Sequence, residues 1–226
     1  MMEESFMSTT QKDITIFEST SSTAPLILLN TVQNEGEQVY NSVVSMTDVD
    51  FSMAAIGNLD WNREMTPWPA PAVMRGGEDF AGKADGYLKE LTGTILPDIL
   101  AKISAKPEYM ALAGYSLGGL FAVYALYRTD LFDRAVSASG SFWYPDFLDF
   151  VKEHRFCRKP VRLYFSLGNK EAKTKNPVMK TVEERTRELY RWYQKQGIDT
   201  IYEENPGNHF QDAVNRMAKG IVSILQ

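Results

Sequence analysis

A single cysteine, Cys157, stands in a chain of 226 residues, so no disulfide can close within it and no metal site can be built on a set of thiolates. A reducing cytoplasm is the compartment that fits. Cys157 lies between Arg155-Phe156 and Arg158-Lys159 and reads as a small, buried or half-buried residue rather than a reactive thiolate. Long apolar runs are also missing. Nothing is long enough to cross a bilayer, and Met1 to Gln11 lacks the basic start and apolar middle of an export signal, so neither membrane insertion nor secretion is expected. There is no basic tract either. The 24 Lys and Arg against 29 Asp and Glu leave a net charge of −5, which argues against a surface that tracks nucleic-acid phosphates. No internal repeat, low-complexity tract or inter-domain linker interrupts the chain. With 44% apolar and 12% aromatic residues it has the material for one sizeable core, which suggests a flexible segment over 1–11 and a single domain over 12–226.

What is present has a rhythm. Apolar runs of strand length alternate with longer helical patterns, as in a mostly parallel sheet with helices on both faces. The spacing predicts strands over 14–18, 26–30, 51–56, 109–113, 135–138, 161–167 and 200–203, and helices over 80–103, 117–127, 147–154, 177–196 and 210–225. The 177–196 helix has Pro177 in its first turn and Gly197 just past its end, and it presents Met179, Val182, Arg187, Tyr190 and Tyr193 as the stripe expected to face the sheet. Residues 58–82, rich in Pro, Gly, Trp and charge, show no period, and a loop of that size in a compact domain usually carries function. Ligands of an open parallel sheet bind at the carboxyl ends of the strands. Residues 57–66, Ser116 and the turns after Ala138, Leu167 and Glu203 should therefore converge.

Between the predicted strand 109–113 and helix 117–127 lies Gly114-Tyr115-Ser116-Leu117-Gly118, a Gly-x-Ser-x-Gly pentapeptide. Flanking glycines let the chain reverse sharply and hold a serine with its hydroxyl outward, while the helix that follows aims amide dipoles at any anion formed there. Read alone, the pattern also fits an ordinary glycine-rich turn with an N-capping serine. A nucleophilic serine needs a base, and only two histidines exist. His154 sits in Lys152-Glu153-His154-Arg155 at the tail of a helix, where a solvated imidazole suffices as explanation. His209, in Asn205-Pro206-Gly207-Asn208-His209-Phe210, follows the last strand and opens the last helix. An acid should orient that imidazole, in the chain order serine, acid, histidine. Glu171, in Ser166-Leu167-Gly168-Asn169-Lys170-Glu171, is the first candidate. Asn169 stands where a carboxylate would also have served, and Glu171 could instead simply balance Lys170, Lys173 and Lys175. Oxyanion donors are expected at the Leu117 amide and at an amide of Leu59, Asp60 or Trp61. Trp61, Trp68, Trp143 and Tyr144 are candidate pocket walls or plain core aromatics. Arg63 is a candidate for an anionic substrate group or a structural ion pair.

These segments carry a resemblance. Asn62-Arg63-Glu64-Met65-Thr66-Pro67, Gly76-Gly77-Glu78, Ile95-Leu96-Pro97, Ala113-Gly114-Tyr115-Ser116-Leu117-Gly118-Gly119-Leu120, Ser139-Gly140-Ser141-Phe142-Trp143, Ser166 to Glu171 and Gly207-Asn208-His209 are together similar to the putative-esterase branch of the α/β-hydrolases, which includes siderophore (enterobactin-type) and feruloyl esterases. Asn169 departs from an Asp of the siderophore-esterase-like members. The resemblance implies an α/β-hydrolase fold without a large lid domain, and serine-dependent hydrolysis of a small-molecule ester through an acyl-enzyme, with no metal and no organic cofactor. Siderophore-type lactones and small aryl or acyl esters are the implied substrates. Acyl transfer at the same site, or a binding module whose acid has decayed, are the alternatives. Oligomeric state is left open.

Overall fold

The computed structural model describes residues 12–226, and the segment expected to be flexible, 1–11, lies outside the described residues. In chain order the elements are β1 (Asp13–Phe17), β2 (Thr23–Asn30), α1 (Gly36–Val44), β3 (Ser52–Gly57), α2 (Trp61–Glu64), β4 (Pro69–Ala70), β5 (Phe80–Ala81), α3 (Ala84–Glu90), α4 (Leu96–Leu100), β6 (Lys106–Tyr115), α5 (Leu117–Ala125), β7 (Arg134–Ala138), α6 (Phe147–Glu153), β8 (Arg162–Gly168), α7 (Val182–Lys195), β9 (Asp199–Asn205) and α8 (Ala213–Leu225). The seven strands read from the sequence form one sheet in the order β1-β3-β2-β6-β7-β8-β9, while β4 and β5 make a separate small hairpin. Only β1 of the seven runs antiparallel to its neighbour.

Strand alternation sorts the core into two layers. Leu26, Leu28, Ala54, Ile56, Leu112, Leu163 and Phe165 point to the face covered by α3 to α7. Ile27, Leu29, Met53, Ala55, Ala111, Ala113, Val136 and Tyr164 point to the face covered by α1 and α8. Because both faces are covered, the strands read as continuous apolar runs. Register then aligns the carboxyl ends, with Tyr115 opposite Ala138, Ala138 opposite Ser166 and Gly168 opposite Asn205. That shared edge carries the site.

The structure departs from the sequence reading in several places. Helix α1 has no predicted counterpart: it starts at Gly36 without a side-chain cap and buries only Val39 and Val43 among its apolar residues, too few to register as a period. The expected helix 80–103 is broken at Leu91–Ile95, which winds as a π-turn just before Pro97. Proline has no N–H for the carbonyl one turn back, so the ladder re-registers there. The helix expected from 177 starts at Val182, after a 3-10 turn, and its inner stripe is Val182, Thr186, Leu189 and Tyr193. Arg187 lies off that stripe and pairs with Glu183 and Glu204 at 3.0 and 2.9 Å. Residues 58–82 are pinned rather than loose, since α2 and the β4–β5 hairpin lie within them. Trp68 packs against Tyr124, Tyr144, Phe147 and Phe150 and donates its indole N–H to the Pro145 carbonyl at 3.1 Å. Cys157 is exposed rather than buried or half-buried. Among the described residues no helix is long and apolar enough to cross a membrane.

Candidate active site

Ser116 occupies the single residue between β6 and α5, at φ 55° and ψ −121°. A non-glycine residue rarely adopts such a conformation, which costs on the order of 1–3 kcal/mol and persists only where the surroundings enforce it. The enforcement is visible in the backbone. The Ser116 N–H donates to the Ala138 carbonyl at 3.1 Å, and the Ser116 carbonyl accepts from the amides of Gly119, Leu120 and Ser141, each at 3.1 Å. Strand and helix approach so closely that a Cβ on Gly114 would lie 2.3 Å from the Gly118 carbonyl carbon. Only glycine fits at that crossing. The Leu117 amide, first in α5, donates to nothing among the described residues.

The imidazole expected to serve Ser116 is 93 residues away in sequence and in contact in space, with His209 Nε2 3.1 Å from Ser116 Oγ. His209 Nδ1 lies 2.8 Å from Glu171 Oε2. The other oxygen of Glu171 is saturated by donors: the Gly168 N–H at 2.6 Å, the Ser139 hydroxyl at 2.7 Å and Arg216 Nη1 at 3.0 Å. Burial acts to raise the Glu171 pKa, but hydrogen bonds from His209, Gly168 and Ser139 and the imidazole charge outweigh it and hold the carboxyl below its ordinary value. The acid is therefore ionised and aimed at the ring. His154 makes no part of this arrangement. Its ring stacks on Phe150 at 4.3 Å, with Nδ1 2.9 Å from the Phe150 carbonyl.

Three residues that sequence reasoning missed, Arg216, Tyr115 and Ser141, complete the shell. Arg216, on α8, is fully buried, and its guanidinium reaches Tyr115 Oη at 3.2 Å and the Pro206 carbonyl at 2.7 Å in addition to Glu171. Tyr115 donates its hydroxyl to the His209 carbonyl at 2.7 Å. Glu171, the loop that carries His209 and the strand that leads to Ser116 are thus tied together by one cation. The available signal was an arginine set on the apolar stripe Met217, Gly220, Ile221, Ile224, where a charge has to find a buried partner. Ser141, also buried, sets its Oγ 3.2 Å from Ser116 Oγ. Asn169 has a structural task of its own. Its side-chain oxygen accepts the Gly207 N–H at 3.1 Å, bracing the loop that carries His209.

A cavity of about 410 Å³ opens over Ser116 and His209, walled by Trp61, Tyr115, Phe210, Val214 and the turn after β2. Of the residues expected to bind substrate, Trp61 lines it, and Leu59, Asp60, Arg63 and Trp143 do not. The reason is topological. The strand beside β6 is β2, so the turn Thr31 to Glu35 adjoins the serine and the turn after β3 lies one strand farther out. The Asp60 amide is also committed, to Glu64 Oε2 at 2.9 Å. Trp143 packs on Phe80 and Tyr144 beside a separate cavity. Arg63 forms no ion pair among the described residues. No cluster of His, Cys, Asp and Glu among them could hold a metal ion.

Comparison with known proteins adds independent findings. A profile of the family described as Putative esterase matches residues 50–218. The uncharacterized protein YbbA of Bacillus subtilis is 26% identical over 177 residues, covering 73% of this chain and 70% of its own. Among solved structures, the siderophore hydrolase EstA from Aspergillus nidulans is similar with a TM-score of 0.70 at 19% identity, over 95% of this chain and 89% of that one. An IroE-like serine hydrolase from Shewanella oneidensis gives a TM-score of 0.76 at 18% identity, over 95% of this chain and 75% of that one. At such identities the likeness is one of fold.

Proposed function

Because this chain belongs to the Putative esterase family and has the α/β-hydrolase fold, we propose that it hydrolyses carboxylic esters through Ser116, His209 and Glu171 by way of an acyl-enzyme. One observation carries the reading: the unbroken line from Ser116 Oγ to His209 Nε2 at 3.1 Å and from His209 Nδ1 to Glu171 Oε2 at 2.8 Å.

In this reading His209 takes the Ser116 proton as Oγ attacks the ester carbonyl, and ionised Glu171 stabilises the imidazolium that forms. The Leu117 amide, unspent at the head of α5, donates to the tetrahedral oxyanion. His209 then returns the proton to the departing alkoxide, the C–O bond breaks and Ser116 is left acylated. Water, deprotonated by the same imidazole, attacks the acyl carbonyl, and collapse releases the carboxylic acid and restores the serine. The first proton transfer, from Ser116 Oγ to His209 Nε2, runs between groups already within hydrogen-bond reach at 3.1 Å. No step calls for a metal or an organic cofactor. EstA, a siderophore hydrolase of this fold, supports small esters and lactones as the substrate range, and the lone cysteine supports a cytoplasmic setting. Replacing Ser116 by Ala should abolish turnover of 4-nitrophenyl acetate and labelling by a fluorophosphonate while leaving the melting curve intact. Turnover at the parent rate by the alanine variant would end the proposal.

A further inference from the structure

The charge inventory of the catalytic cavity is lopsided. Among the described residues that line it, Glu35 is the one carboxylate, and no lysine or arginine joins it. Glu35 cannot swing its charge away freely, because its two oxygens accept the Val32 and Gln33 amides at 3.1 and 2.7 Å. The rest of the wall is largely apolar. Phe210, next to the imidazole, is 87% exposed, and Val32, on the turn after β2, is 50% exposed. Large apolar side chains left uncovered beside a reactive centre gain most when a ligand buries them.

We infer that this cavity selects esters whose acyl and alcohol parts are apolar and uncharged or cationic, and that Glu35 excludes anionic ones. The inference rests on the hydrolase reading above and narrows it. An anionic ligand entering would give up water while facing a fixed carboxylate, with no cation on the wall to offset either penalty. An alkyl or aryl group would instead cover Phe210, Val32 and Trp61. Polyanionic catecholate lactones are accordingly poor substrates, although proteins sharing the fold include siderophore hydrolases.

The test compares two esters with the same leaving group, the 4-nitrophenyl ester of methyl adipate and that of adipate monoanion, at low ionic strength. Fluorophosphonate labelling of Ser116 is followed in parallel. The parent protein should favour the neutral ester by about tenfold in kcat/KM, a ratio that shrinks as salt screens the carboxylate. Glu35→Gln keeps an oxygen for one of the two backbone amides and removes the charge, so the ratio should fall severalfold. Gln38→Lys, which adds a cation to the same wall at an exposed position, should move the ratio in the same direction without depending on the Glu35 turn. Equal or faster turnover of the anionic ester by the parent overturns the selectivity, and a ratio that neither variant changes overturns the role of Glu35. A serine that labels while discrimination is absent refutes this inference alone. Absence of both labelling and turnover refutes the hydrolase reading with it.

Discussion

Replacing Arg216 by Met tests whether one buried cation holds the site together. The change keeps much of the side-chain volume on α8 but deletes the guanidinium that contacts Glu171 at 3.0 Å and the Pro206 carbonyl at 2.7 Å. Removing one partner of a buried ion pair costs about 3–5 kcal/mol, since the charge left behind stays out of water. Glu171 keeps its bonds from Gly168, Ser139 and His209, which places the loss near the lower end, about 3 kcal/mol. For a chain of this size that is a fall in Tm of about 6–12 °C. The pH dependence gives the discriminating signature. In the parent, Glu171 is held below its ordinary value, so it stabilises the fold above that value and the contribution fades as pH falls through the lowered one. In the variant, burial meets less opposition and the carboxyl titrates higher, and protonation then relieves the unpaired charge. Calorimetry at pH 8 and pH 5 should therefore show the larger deficit at pH 8, and kcat should drop by about tenfold or more because the His209 loop loses its anchor at Pro206. A deficit of the same size at both pH values, or one below about 1 kcal/mol, would refute the reasoning.

The other predictions concern the elbow and the acid. Gly114→Ala drives a methyl group to 2.3 Å from the Gly118 carbonyl carbon, so α5 must move off β6; urea unfolding should show a loss of about 3 kcal/mol. Ser116→Gly removes the proposed nucleophile and also relieves a strained φ of 55°, so its Tm should rise by about 2–4 °C while turnover vanishes. A lower Tm would show that the serine is not strained. Glu171→Gln retains shape but not charge, and kcat should fall by about 10²–10⁴ with little change in KM, measured with 4-nitrophenyl acetate.

How much of this was legible in the sequence depended on the range over which each feature is determined. Strands buried on both faces announce themselves as runs such as Leu26 to Leu29 and Leu163 to Leu167, whereas the edge strands β1 and β9, half-exposed along most of their length, were legible from their β-branched residues. The elbow is equally local: three glycines and a serine between such a run and Phe121 to Ala125 leave few other conformations. Helix α1 escaped because its stability comes from packing on α8 and β3 rather than from its own pattern. The neighbour of β6 was illegible for a related reason. Chain order says nothing about β2 inserting between β3 and β6, and that insertion decides which turn lies beside Ser116.

Arg216 is the instructive omission, because it was visible and its meaning was not. An arginine on the stripe that includes Met217, Ile221 and Ile224 conflicts with the pattern around it, and such conflicts concentrate at functional sites. Its presence implies a buried carboxylate on another element. Of the acids after Ser116, Glu171 is the one whose side chain is almost wholly buried and paired with it, at 3.0 Å. Loop acids beside Lys170 and Lys173 look solvated when read alone. Joined to a buried cation 45 residues downstream, the same glutamate becomes a fixed and ionised group facing an imidazole. A charged residue out of place on one helix thus points to the carboxylate facing His209 more firmly than the loop that contains it does.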